Sequence, residues 1–467
     1  MRHLALLLAL SASALAAPFS PRFEEIKRTA KPVELYTFLY ALPKGGDLHN
    51  HLGGAIRAEW WYAAATDPAR NGGDVFYTRT KFSAGLDVGA PLILFQTIRQ
   101  HAYAALTPAQ QADYVRLDAL SPELKQAWLD SVRLDRPGEG RSEFFEWIWP
   151  RLGGLFSNLE VINHVTVATM QAYGAEGLRY LETQTAVMNY TDNTGRPIPA
   201  QDAADAIRRR LAQPDAVATG VEVRFQLTGL RFTPDAEAQV ERLYRFIDAN
   251  RDLWVGLNLA GIEENGKGYP QRFLETFRAM RRKYPTLALS IHAGEMDGPD
   301  AHIRDTLLLG ATRIGHGVNL IKDPDTLLLL QQSRRVLVEI NLISNRLLEY
   351  TPDLALHPFP EYLRTGVPVC LNTDDRGMWD SNLTDEYYTA VTTFNLSWDE
   401  VVTLGRNSLT YSFVQPDVKA KLLADYDRAV AAVEAKYQPA DSLAQLAAVK
   451  PVAYGYAKRT WGLVFQP

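Results

Sequence analysis

The sequence predicts an α/β fold, a (β/α)8 TIM barrel with a long helical insertion after its first strand. Three observations lead there. Eight short β-rich runs recur along the 467 residues, helical patterns separate them, and the side chains able to do chemistry gather where the runs end. The runs are 47–51, 178–184, 221–227, 254–260, 287–292, 312–316, 336–341 and 367–372. From the second onward they are nearly continuous in apolar residues, as parallel strands covered on both faces require. Strand alternating with helix eight times favours a closed barrel over an open sheet.

The chain opens on a leader. Arg2 and His3 precede the apolar run Leu4 to Leu10, and Ala14-Leu15-Ala16 has the A-x-A form of a signal-peptidase site. Residues 1–16 are therefore expected to be a signal peptide for export to a periplasm or the extracellular space. Residues 17–467 are expected to form one barrel domain. No later stretch approaches the ~18 uncharged apolar residues that a membrane span needs.

Roughly 120 residues, 57–176, separate the first run from the second, far more than a crossover requires. Turn signals stand at Asn71-Gly72-Gly73 and at 137–140. Helical patterns lie at 108–115 and at 144–156, the latter rich in aromatics (Phe144, Phe145, Trp147, Trp149). This insertion is either an added helical layer or a lid, because loops after barrel strands line the active face. Further on, Pro234-Asp235 and Asp323-Pro324-Asp325 open helical segments, and 383–460 reads as helical, closing the outer ring.

At 46% hydrophobic and 22% charged, the chain can bury a large core. A net charge of -5 and a pI near 6.0 give no electrostatic attraction to nucleic acid or an anionic membrane, so a small molecule is the expected partner. The single cysteine, Cys370, lies in the apolar stretch 367–371 and reads as a buried structural thiol. One cysteine also excludes deaminase zinc sites built on two or three of them.

Chemistry concentrates at four strand ends. The first gives His49-Asn50-His51, whose imidazoles, two residues apart in a strand, project from one face. The fifth ends in His292-Ala293-Gly294-Glu295, the sixth in Gly315-His316-Gly317, and the eighth in Asn372-Thr373-Asp374-Asp375. Paired carboxylates closing a hydrophobic strand would be penalised by desolvation unless a cation compensates. Imidazoles with one carboxylate suit Zn²⁺ better than Mg²⁺ or Ca²⁺, so one zinc per chain is expected, held by His49, His51, His292 and Asp374. Such an ion would lower the pKa of a bound water toward about 7. Glu295 and His316 remain as titratable groups beside it, one to move protons at the substrate, the other to orient or deprotonate the water.

These segments resemble the adenosine deaminase family of the amidohydrolase superfamily. The resemblance is carried by Leu42-Pro43-Lys44-Gly45-Gly46-Asp47-Leu48-His49-Asn50-His51-Leu52, Ser290-Ile291-His292-Ala293-Gly294-Glu295, Arg313-Ile314-Gly315-His316-Gly317 and Asn372-Thr373-Asp374-Asp375. It extends to 255–261 and to Glu339-Ile340-Asn341 with Ser344-Asn345, in family order from about 42 to 387. The leader, the Pro-Lys-Gly-Gly lead-in and the long insertion are similar to the family's extracellular, growth-factor-related branch.

The resemblance implies a zinc-dependent hydrolase that removes the 6-amino group of adenosine or 2′-deoxyadenosine. It implies His49, His51, His292 and Asp374 as metal ligands, and Glu295 as proton donor to ring N1. It implies His316 to position and deprotonate the water that attacks C6, Asp375 to hydrogen-bond N7, and the Gly261 backbone N–H to bind N3. Three residues depart from the family pattern. Gly53 replaces an Asp that contacts ribose in many members, Arg376 replaces a Pro, and Asn341 stands where Cys-Pro is common. Arg376 is either a solvated rim charge or a contact for a substrate phosphate, which keeps another 6-substituted purine or a nucleotide in view. The complete set of ligands and proton-transfer groups argues against a non-catalytic extracellular nucleoside-binding protein. The absence of a Lys at the fourth strand argues against a two-metal amidohydrolase.

Overall fold

Eight parallel strands follow one another around a barrel in chain order, interrupted once by a small antiparallel sheet. The structure, a computed structural model, describes residues 18–83, 92–263, 265–296 and 298–465; the expected leader lies outside them. The strands are β1 (Gly45–Asp47), β2 (Phe76–Arg79), β3 (Thr97–Arg99), β4 (Tyr114–Arg116), β5 (Leu178–Thr185), β6 (Glu222–Leu230), β7 (Trp254–Ala260), β8 (Ala288–Ala293), β9 (Arg313–His316), β10 (Leu337–Ile340) and β11 (Val369–Leu371). The barrel order is β1-β5-β6-β7-β8-β9-β10-β11. Seven of the eight expected strands sit within a few residues of their sequence-derived limits.

The first is the exception. Its ladder with β5 uses Gly45, Gly46 and Asp47, with an irregularity after Gly45, so His49-Asn50-His51 lies just beyond regular pairing. That offset puts both histidines at the barrel rim, where only isolated bridges (His51 to Gln184, Asn50 to Asp374) continue the strand.

The seam between β11 and β1 closes through side chains as much as backbone. The Asp374 N–H donates to the His49 carbonyl at 2.9 Å, and the Leu48 N–H donates to Asn372 Oδ1 at 3.0 Å. Thr373 donates through its hydroxyl to Asp47 Oδ2 at 2.7 Å, and the Tyr173 hydroxyl reaches the same oxygen at 3.0 Å. Burial pushes the Asp47 carboxyl up to about 6, and these donors hold it against that desolvation.

β7 is buried along its whole length, as a strand with helices outside and packed side chains inside must be. Outer helices begin where the sequence places them. Ala236–Ala249 follows Asp235, and Pro324–Ser333 is capped by Asp323, which accepts from the Thr326 N–H at 3.1 Å. Helices Leu383–Phe394, Trp398–Thr410 and Pro416–Tyr437 complete the ring after β11.

The insertion is not purely helical. Between helices Ala58–Ala65 and Pro122–Ser131 it carries the antiparallel sheet β3-β2-β4, with the buried pair Arg99–Asp74 at 2.5 Å beside it. Strands of three or four residues are too short to show a period-two pattern, so the sequence offered no signal for them. The insertion packs on the carboxyl-end face of the barrel. Its Phe144 meets Trp379 at 4.9 Å between centroids, and a wide helical turn, Glu143–Ile148, leads directly into Trp149.

Candidate active site

Three strand ends aim donor atoms at one point. The Nε2 atoms of His51 and His292 are 3.3 Å apart. Asp374 Oδ1 lies 3.4 Å from His51 Nε2 and 3.7 Å from His49 Nε2. His49 Nε2 and Asp374 Oδ1 are buried without a hydrogen-bond partner. Lone pairs gathered this way repel one another unless a cation lies between them. The separations match donors around a single tetrahedral ion with bonds of about 2 Å. The set of three imidazoles and one carboxylate therefore fits one Zn²⁺.

The backs of these ligands explain why their lone pairs face inward. His49 Nδ1 is 2.8 Å from Glu339 Oε2; a carboxylate can only accept, so Nδ1 carries the proton. Glu339 is held in turn by Arg313 Nε at 2.6 Å and by the Ser290 hydroxyl at 3.0 Å. His292 Nδ1 donates to Asn258 Oδ1 at 2.8 Å, and the Asn258 amide is oriented by its own donation to Gln226 at 3.3 Å. Asp374 Oδ2 accepts from the Ser344 hydroxyl at 2.7 Å. These partners are what a metal-ligating shell needs to fix tautomer and direction.

Backbone strain marks the same place. His316 and Asp374 adopt φ of 65° and 51°, a left-handed conformation costly for residues with a Cβ and sustained here by the packing around them.

The remaining candidates surround the donor cluster. His316 Nε2 lies 3.7 Å from Glu295 Oε1. Asp375 is buried, and burial together with the neighbouring Asp374 and Glu295 charges pushes its carboxyl well above the ordinary range. Gly261 follows β7 at φ 109°, a conformation that favours glycine, and its carbonyl accepts from Arg231 Nε at 2.7 Å. Arg231 also donates to the His292 carbonyl at 2.7 Å, a supporting role the sequence did not reveal.

Two departures from the family pattern are buried beside the site. Arg376 is not a solvated rim charge. It is 1% exposed, its Nη1 lies 2.7 Å from Glu176 Oε1, and its guanidinium stacks 4.1 Å over the Tyr173 ring. Its neighbour Asp375 faces the site while Arg376 begins a short helix that turns inward. Asn341 faces the back of His316, with its amide nitrogen 3.3 Å from Nδ1.

Gly53 is explained by the insertion. A Cβ there would meet the Phe156 ring at 2.5 Å. Phe156 packs on Trp61 and Trp149, each at 5.5 Å, and Trp149 stands edge-on to His51 at 6.0 Å. An aromatic wall therefore occupies the place of the carboxylate expected from the family pattern, and through Trp149 the insertion reaches the donor cluster at His51.

Comparison with known proteins agrees with this geometry. Residues 134–429 match the family model for adenosine deaminase. The adenosine deaminase of Enterococcus faecalis is 32% identical over 255 residues, covering 54% of this chain and 72% of that protein. An adenine deaminase of Chelativorans sp. is 30% identical over 284 residues, covering 59% of this chain and 82% of that protein. A crystal structure of an amidohydrolase from Burkholderia ambifaria with bound Zn shares the fold, with a TM-score of 0.62 at 20% identity, over 90% of this chain and 97% of that one. The chain belongs to the adenosine deaminase family of purine-deaminating hydrolases.

Proposed function

We propose that the protein hydrolyses adenosine or 2′-deoxyadenosine to inosine or 2′-deoxyinosine and ammonia, with one zinc held by His49, His51, His292 and Asp374. The observation that carries this reading is the convergence of Glu295, His316 and Asp375 on the rim around that donor set. Zinc, when bound, activates water and stabilises charge developing on oxygen. The chain's own groups do the rest. Asp375 meets N7 through a hydrogen bond, and the Gly261 N–H meets N3. Glu295 delivers a proton to N1, which draws electrons from C6. His316 sits where the attacking oxygen approaches. The aromatic wall of Trp149 and Phe156 excludes bulk water and offers a flat face to a planar base.

A second reading has a specific observation behind it. With Phe156 filling the space beside Gly53, the wall there has no carboxylate to select a sugar hydroxyl. Free adenine or another 6-amino purine then competes as substrate, in line with the activity named for the Chelativorans relative. Action on nucleotides loses its candidate contact with the burial of Arg376.

Absorbance near 265 nm, followed on zinc-loaded protein with adenosine, 2′-deoxyadenosine, adenine, AMP and N6-methyladenosine, tests both readings. A chelator-sensitive fall with the nucleosides supports the first, and preference for adenine moves the assignment to the second. Silence across the panel with zinc bound overturns both. Export belongs to the same proposal and rests on the leader motif. Cleavage after Ala16, read by mass spectrometry of the secreted protein, is the expected result, and an intact N-terminus in an intracellular product would refute it.

A further inference from the structure

His49 and His292 each have an acceptor behind Nδ1 and so turn a bare Nε2 toward the metal position. His316 has the opposite arrangement. The Phe359 backbone N–H donates to His357 Nδ1 at 3.1 Å. A nitrogen that accepts carries no proton, so the buried His357 ring holds its proton on Nε2. Nε2 is 3.1 Å from Asn345 Oδ1, so this N–H donates to the amide oxygen. The Asn345 amide is thereby oriented with its NH₂ toward His316 Nδ1, at 3.1 Å. The Asn341 amide nitrogen stands on the same side. A backbone N–H cannot act as an acceptor, so the direction it sets passes unchanged through His357 and Asn345. Facing a donor, His316 Nδ1 keeps its lone pair, and the neutral ring carries its proton on Nε2.

We infer that His357 and Asn345 are positioning residues that lock His316 as the Nε2–H tautomer, so that it donates a hydrogen bond to the attacking oxygen and does not take that oxygen's proton. The tautomer stands on hydrogen-bond direction alone; only the identity of the attacking oxygen rests on the proposed function. The lock also sorts the imidazoles. The ring nitrogens of His49, His292 and His316 come within 4.8 Å of one another and could be taken for a ligand trio. An Nε2–H has no lone pair to give, so His316 stays outside the metal's donor set. The proton ledger then runs through Glu295. Its first proton goes to N1. One water proton passes through the carboxylate to the amine, which leaves as ammonia, and the other restores the carboxyl as the C6 oxygen becomes a carbonyl.

The test uses full-length, zinc-loaded protein labelled with ¹⁵N-histidine, with His316 assigned by the signals lost in His316→Gln. The expected spectrum shows a proton on His316 Nε2 and none on Nδ1. Asn345→Asp puts an acceptor where the amide donor stood. It is expected to move the proton to Nδ1 and to lower kcat about 100-fold, with KM within about threefold. A wild-type His316 protonated on Nδ1, or an Asn345→Asp protein that keeps the Nε2–H form, overturns the inference. If Asn345→Asp does not fold, the wild-type spectrum decides alone. The spectra need no substrate, so an error in the substrate assignment leaves them unchanged and the two ideas fail separately.

Discussion

Gly54 and Asp375 compete for one volume: a Cβ on Gly54 would fall within the Asp375 carboxylate. Position 54, in the short helix Leu52–Ala55 after the first strand, must therefore be glycine for Asp375 to keep its place. Gly54→Ala is expected to retain zinc, because His49, His51, His292 and Asp374 are untouched, and to lower kcat/KM about 100-fold through misplacement of Asp375. Metal analysis beside steady-state kinetics checks it. Full activity would show that Asp375 can move without loss.

Glu295→Gln removes the proton destined for the ring while keeping shape. Turnover should fall between about 10² and 10⁴-fold with zinc content and thermal stability near wild type. Near-normal kcat would remove Glu295 from proton transfer.

Asp374→Ala deletes the donor that bridges His49 and His51. Zinc should be lost on dialysis against a mild chelator that leaves the wild type loaded, with activity lost in parallel. Retained stoichiometric zinc would mean that the imidazoles suffice.

Arg376→Met tests a structural role. Glu176 would remain buried, with Thr384 donating to its other oxygen at 3.0 Å but without the guanidinium that pairs with it. A loss of about 3–5 kcal/mol is expected in denaturant unfolding. The ratio of AMP to adenosine turnover in the folded fraction should not change, and a selective change in AMP turnover would return Arg376 to substrate recognition.

The aromatic wall is open to a paired substitution. Phe156→Ala makes room beside Gly53, and adding Gly53→Asp then supplies a carboxylate. The double variant should raise the adenosine-to-adenine ratio of kcat/KM about tenfold over Phe156→Ala alone, the worth of one hydrogen bond to a sugar hydroxyl. An unchanged ratio would place the sugar elsewhere.

What could be read from the sequence followed the strands. His49, His51, His292, His316 and Asp374 were visible because their apolar runs set a direction and each ended in a group that hydrocarbon would not tolerate alone. Glu339 and Asn258 left the same signature, a polar residue inside the runs 337–340 and 254–260, and could have been identified as partners behind the imidazoles. His357 lies in a loop, and Asn341 and Asn345 cap and occupy a helix of only six residues, too short for a period to fix direction. Arg376 was misplaced because adjacency to Asp375 says nothing about which way a side chain turns. The insertion's sheet escaped because its strands are too short to carry a pattern.

The seam between β1 and β11 ties the birth of the site to the end of the chain. Residues 49 and 374 meet only after more than three hundred intervening residues have been threaded around the sheet, so the contact closes one of the longest loops in the molecule. A growing or incompletely folded chain holds the two first-strand histidines with no carboxylate to face them. Shape closure and metal capture are in that sense one event, and zinc offered too early finds an unfinished cage.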